Sequence, residues 1–145
     1  MRRFRFLLAG ALCLGLAAAA KAQQYPDPAE AVRLSGEISE LLLRRDIGQA
    51  VGKAAPSTPI AADALNNAFS QVLKLGNGQY ADLIYSRLYG RTEQDIIYKV
   101  QYAGTVLFIR YLFQVEGGRW RLFNFALKTD TDAPFPKDWP HIYPK

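Results

Sequence analysis

Histidine and cysteine are almost missing from this chain: 145 residues hold one of each, His141 and Cys13. His141 stands on a proline-flanked tail, so a histidine-dependent triad or a multi-histidine metal site is not available within one chain. Cys13 lies in an apolar run near the start and leaves with it if that run is removed. No thiol then remains for a disulfide, a metal or a nucleophile. Two weaker motifs also fall short. Asp130-Thr131-Asp132 has neither the glycine nor the distal glutamate of a calcium loop. Gly76-Asn77-Gly78 leads into a strand rather than a helix N-terminus, which is where a phosphate loop must deliver its ligand. No repeat or low-complexity segment occurs. No metal and no cofactor is expected.

Long apolar runs are scarce as well. The longest, Phe6–Ala20, is shorter than the roughly 20 residues that span a bilayer. Arg2, Arg3 and Arg5 precede it, and Ala20-Lys21-Ala22 offers small residues at the two positions a signal peptidase reads. The reading is a signal peptide over 1–22, cut between Ala22 and Gln23, and a periplasmic or secreted product with no membrane attachment after cleavage. A domain over 23–132 and a proline-rich tail over 133–145 complete the chain. The full sequence has 18 basic and 13 acidic side chains. Four of the basic ones lie in the leader, leaving 14 against 13. The high pI therefore gives no reason to expect nucleic-acid binding.

What the chain does have is β-branched and aromatic residues from Glu93 to Lys128. Thr105–Glu116 ends at Gly117-Gly118, a two-residue hairpin signal, and Arg119–Lys128 follows. That turn sets Glu116 opposite Arg119, Val115 opposite Trp120, Phe113 opposite Leu122, Tyr111 opposite Asn124 and Ile109 opposite Ala126. Ala103-Gly104 makes a second turn, placing Val100 opposite Leu107, Tyr98 opposite Ile109 and Ile96 opposite Tyr111. Both turns assign the same residues to one side. Face one holds Ile96, Tyr98, Val100, Leu107, Ile109, Tyr111, Phe113, Val115, Trp120, Leu122, Asn124 and Ala126. Face two holds Ile97, Lys99, Gln101, Val106, Phe108, Arg110, Leu112, Gln114, Arg121, Phe123, Phe125 and Leu127. Tyr80–Tyr89 reads as a further strand, with Leu83, Tyr85, Arg87 and Tyr89 on face one and Asp82 on face two.

Helices must cover face one. Asp27-Pro28 is a cap followed by a first-turn proline, and Leu34, Ile38, Leu41 and Leu42 recur at helical spacing. The helix is expected to weaken by Gly48, with Gly52–Ser57 a linker. Thr58-Pro59 opens a second helix whose buried stripe is Leu65, Phe69, Val72 and Leu73, ended by Gly76. The fold class is α+β: N-terminal helices packed on a curved, mainly antiparallel sheet of about four strands.

Helix, helix, then such a sheet closing on Gly117-Gly118-Arg119-Trp120-Arg121-Leu122 resembles the nuclear transport factor 2-like superfamily, over about Pro28 to Lys128. The resemblance implies a cone-shaped α+β fold with a pocket between helices and sheet. Its members include ketosteroid isomerases, dehydratases, assembly domains and non-catalytic exported proteins, so it fixes no function.

An isomerase of that kind needs a carboxylate inside the cone, facing hydroxyl donors. Tyr98, Tyr111 and Tyr85 supply donors, but no acidic residue falls on face one from Glu93 onward, and Glu93 and Asp95 are expected to be exposed at the strand end. No catalytic residue is assigned. The leading reading is a non-catalytic binding or interaction domain, with Tyr85, Arg87, Tyr98, Tyr111 and Asn124 around a small apolar ligand. The alternative for those polar groups is a Tyr111–Asn124 hydrogen bond, with Arg87 paired to a helix carboxylate. On face two, Phe108, Arg110, Leu112, Arg121, Phe123 and Phe125 form an apolar patch with interleaved arginines, the composition of an interface. It would serve a homodimer or an exported protein partner, or lie under Phe135 and Trp139 of the tail. An isomerase- or lyase-like enzyme and a structural accessory subunit are the other function classes.

Overall fold

The computed structural model describes residues 24–129. The leader with its Ala22–Gln23 boundary, the Asp130–Asp132 turn, and Phe135, Trp139, His141 and Tyr143 of the tail lie outside the described residues. Three helices pack on one side of a four-stranded antiparallel sheet that does not close, the α+β class expected. The helices are α1 (Pro28–Leu43), α2 (Ile47–Ala54) and α3 (Ala62–Phe69); the strands are β1 (Gly78–Tyr89), β2 (Glu93–Tyr102), β3 (Thr105–Glu116) and β4 (Arg119–Lys128). Strand order in the sheet is the order in the chain.

Helix α1 starts as its residues require. Asp27 Oδ1 accepts the Ala29 N–H at 2.9 Å, and Pro28 fills a position whose N–H would have no partner. Its buried stripe is Ala31, Ser35, Ile38, Ser39 and Leu42, while Leu34 and Leu41 are only partly buried. The chain then turns through Arg45, whose φ of +63° stops the helix. Asp46 begins a new one by accepting the Gln49 N–H at 3.1 Å. The stretch expected to fade at Gly48 is thus α2, and the expected linker is its end plus a 3-10 turn, Ala55–Ser57.

The Thr58-Pro59 signal also works differently from its expected role. Helix α3 begins at Ala62 with no side-chain cap. Thr58 instead donates to the Leu122 carbonyl at 2.6 Å and accepts the Ile60 N–H at 3.2 Å, tying the helical layer to the edge strand β4. Leu65, Phe69 and Val72 are fully buried as the stripe predicts, but Leu73 is 47% exposed on the 3-10 turn that follows α3.

The register of β2 on β3 is the expected one throughout, and β3 on β4 agrees from Glu116–Arg119 to Phe113–Leu122. A β-bulge then inserts Phe123. Beyond it Leu112 faces Asn124, Tyr111 faces Phe125 and Ile109 faces Leu127, so the pairings of Tyr111 with Asn124 and Ile109 with Ala126 do not occur. One extra residue exchanges the faces of everything after it. Phe125 and Leu127 join the helix-side core, with Phe125 5.3 Å from the Phe69 ring, and Phe125 leaves the outer patch assigned to it. A second bulge at Ile84 does the same to β1. Leu83 remains on face one opposite Tyr98 and Asp82 on face two, but Tyr85, Arg87 and Tyr89 pair with Ile97, Asp95 and Glu93 on face two. Nineteen buried residues from all three helices and the inner sheet face form one core. At about 2 kcal/mol for each large aliphatic side chain fully removed from water, it is the main favourable term of this fold.

Candidate binding surfaces

On face one the tyrosines come together as expected. The rings of Tyr98 and Tyr111 meet edge to face at 6.3 Å. Each hydroxyl, however, ends on α1. Tyr111 Oη shares a hydrogen bond with Ser39 Oγ at 2.9 Å, Tyr102 Oη donates to the Leu42 carbonyl at 2.8 Å, and Tyr98 Oη reaches the Val32 carbonyl at 3.4 Å. Helix α1 is shaped for this contact. A Cβ at Gly36 would sit 2.8 Å from the Tyr98 hydroxyl and push the ring tip aside, and the glycine that leaves room for it costs the helix about 1 kcal/mol relative to alanine. The hollows beside Trp120, Leu107 and Phe123 have none of Tyr98, Tyr102 and Tyr111 in their lining. Tyr102 and Ser39 were missed by sequence reasoning. Tyr102 was legible, since it continues the alternation two residues past Val100.

Burial raises the pKa of all three. It lifts Tyr102 to about 12 and raises Tyr98 and Tyr111 above the ordinary tyrosine value, with Ser39 opposing part of the effect at Tyr111. A phenol whose folded pKa exceeds its unfolded one favours the fold fully below about pH 10 and loses that contribution as pH rises through the folded value. Stability should therefore fall between about pH 10 and 12, by about 1.4 kcal/mol per pH unit for each tyrosine held neutral. Urea unfolding at pH 8, 10 and 11.5 checks it; a flat profile would mean these hydroxyls reach solvent.

The other ligand candidates lie elsewhere. Tyr85 and Arg87 are on face two, where the Arg87 guanidinium packs 4.9 Å over the Tyr89 ring rather than against a helix carboxylate. Asn124 is exposed, and its Oδ1 accepts the Phe125 N–H at 2.8 Å. It closes the backbone at the bulge and makes no bond to Tyr111. The sequence thus proposed one five-residue site where the fold makes two separate groups.

Face two reads as rows across the four strands. Asp82, Lys99, Phe108 and Lys128 form one; Tyr85, Ile97, Arg110 and Ala126 the next; then Arg87, Asp95, Leu112 and Asn124; then Tyr89, Glu93, Gln114 and Arg121. Asp95, expected in solvent, is 1% exposed. It receives both prongs of Arg110, Nε to Oδ1 at 2.9 Å and Nη2 to Oδ2 at 2.7 Å, and this bond holds the guanidinium pKa above its usual value. The partner was visible in the register: Arg110 is diagonal to Asp95 on the same face.

Beside this pair Phe123, lifted out by the bulge, is 55% exposed. It stands between two shallow hollows of about 280 and 270 Å³ that share Phe123 and Gln114. Tyr89, Gln94, Asp95, Arg110 and Leu112 line the first; Pro59, Val115 and Arg121 line the second. Gln94 is 4% exposed and its Oε1 has no hydrogen-bond partner, although its Nε2 donates to Ser86. Among the described residues no group of three or more metal-ligating side chains occurs, and no helix is long and apolar enough to cross a membrane. Comparison with protein-family models, with curated proteins and with solved structures finds no match for this chain.

Proposed function

We propose that this chain is an exported, non-catalytic interaction domain that engages a protein partner at the Phe123 end of its outer sheet face. The observation that carries this reading is that the inner tyrosines are already engaged by α1. Tyr98, Tyr102 and Tyr111 already spend their hydroxyls on α1, so a small apolar ligand would have to displace packed rings and take those buried hydroxyls from their partners. The isomerase alternative asks for a carboxylate against Tyr98 or Tyr111, and those hydroxyls meet the Val32 carbonyl and Ser39 instead. The likeness to nuclear transport factor 2-like proteins stays a proposal beside this one, supported by helices that precede a meandering sheet.

Outside, the features of an anchoring site coincide. Phe123 offers an exposed ring between two hollows, and arginine and tyrosine surround it. A photocrosslinking amino acid at position 123, in cells secreting the protein, should give one discrete protein adduct; one at Leu73, exposed on the helical side, should give none. Phe123→Ser should weaken capture of that partner roughly thirtyfold, the usual effect of losing an aromatic anchor worth about 2 kcal/mol. The urea midpoint should stay where it was. No adduct at 123, together with a small molecule retained in native mass spectra, would overturn the reading in favour of a ligand carrier.

A further inference from the structure

Strand β1 is one edge of the sheet, and among the described residues no element pairs with its outer side. It runs for twelve residues, about twice the usual strand length, with no proline and no lysine. Native sheets normally keep their edges short, charged or covered, because unpaired N–H and C=O groups recruit other strands. The opposite edge follows that rule. Strand β4 carries Arg119, Arg121 and Lys128, and its Leu122 carbonyl already accepts the Thr58 hydroxyl. On β1, by contrast, Tyr80, Leu83, Leu88 and Tyr89 are 37–44% exposed.

A bulge is another way to blunt an edge, and β1 has one at Ile84. Its effect on the side chains points the other way. In a regular strand, residues five apart lie on opposite faces. The inserted Ile84 brings Asp82 and Arg87 to the same face, where they pair with Lys99 and Asp95 of β2. Suppose a second copy of β1 lies antiparallel along this edge, with Asp82 facing Arg87. The two-fold axis then passes between residues 84 and 85, and symmetry makes the opposite-charge pair twice. On face two Tyr80 also faces Tyr89; on face one Ala81 faces Leu88 and Leu83 faces Ser86. Apart from the two bulge residues at the axis, every facing pair shares a face, as a continuous sheet requires. A shift by one residue puts the faces out of step, and a shift by two separates the charges. Arg87, whose guanidinium lies 4.9 Å over the Tyr89 ring, can meet Asp82 of the other copy without leaving that ring.

We propose that two copies of this chain join through β1 into one eight-stranded antiparallel sheet, with the helices of both on the same side. The Phe123 site lies toward the far edge, so the dimer and the partner site are separate and either can fail alone. Sedimentation equilibrium of the protein recovered from secreting cells should give the dimer mass in the micromolar range. Asp82→Arg sets arginine against arginine in both pairs, and Arg87→Asp sets aspartate against aspartate. Each variant alone should therefore dissociate about tenfold more readily or worse. An equimolar mixture of the two should recover the parent's affinity, because in the mixed dimer every charge again faces its opposite. Both positions are exposed, so the urea midpoints should stay near the parent's. If a reversed charge unfolds the domain, Asp82→Asn should still weaken the dimer severalfold. A parent that is monomeric at about 100 µM overturns the proposal. So does a dimer that neither reversal weakens, or a mixture of the two that stays dissociated.

Discussion

Replacing Arg110 by methionine should cost about 3–5 kcal/mol of folding free energy, although the residue is a quarter exposed. The reason lies in its partner. Asp95 is 1% exposed on a sheet face and meets both prongs of the guanidinium. Without them a carboxylate is left charged where water does not reach, and methionine fills the volume without supplying a donor. The reverse change, Asp95→Leu, should cost less, since Arg110 can turn its charge toward solvent. The double variant should recover most of the loss, because a hydrophobic pair of similar volume often replaces a buried ion pair at little cost. Urea midpoints of the four proteins close the thermodynamic cycle. Additive losses would show that the two groups do not depend on one another.

Gly78→Val should rank beside it, at about 3 kcal/mol or more. A side chain at this position would run into the Leu43 carbonyl oxygen and come within 2.6 Å of Leu43 Cδ1. The obstacle is backbone at the C-terminus of α1, which cannot rotate aside. Strand β1 starts here, and the adjoining Asn77 carbonyl accepts the Ala103 N–H at 2.9 Å, so the strand is held from both sides. The urea midpoint of Gly78→Val should drop with the slope unchanged, and Gly78→Ala should fall between it and the parent. A midpoint equal to the parent's would mean that α1 and β1 separate without cost.

The sheet was legible where turns and alternation agreed. Ala103-Gly104 and Gly117-Gly118 fixed two hairpins, and every β2–β3 pair followed from the first of them. Alternation alone cannot see an inserted residue, however. In Phe123-Asn124-Phe125-Ala126-Leu127 the count sends Asn124 inward and three large apolar residues outward, and that mismatch was itself the sign of the bulge. The same arithmetic failed at Ile84 and carried Tyr85 and Arg87 to the wrong side. The helical layer was hidden for another reason. Asp46 restarts a helix immediately after the first has ended, and Thr58 spends its hydroxyl on β4 rather than on a cap. The tyrosine cluster was readable, but its saturation was not, because the acceptors for Tyr98 and Tyr102 are carbonyls of a helix distant in sequence.

The meander has a consequence in time. Each strand pairs only with its neighbour in the chain, across connections of a few residues, so the sheet needs no long loop closed before its first contacts repay the entropy lost. Chains with such short-range wiring fold faster than sheets built from distant strands. The β3–β4 hairpin can form on the microsecond scale typical of two-residue turns. Helix α1 depends on partners more than fifty residues away, as Tyr102 to Leu42 and Tyr111 to Ser39 show, and it docks only once the strands have assembled a surface. Until then the inner face of the sheet, not its bulged edges, is the part of the molecule most exposed to misassociation.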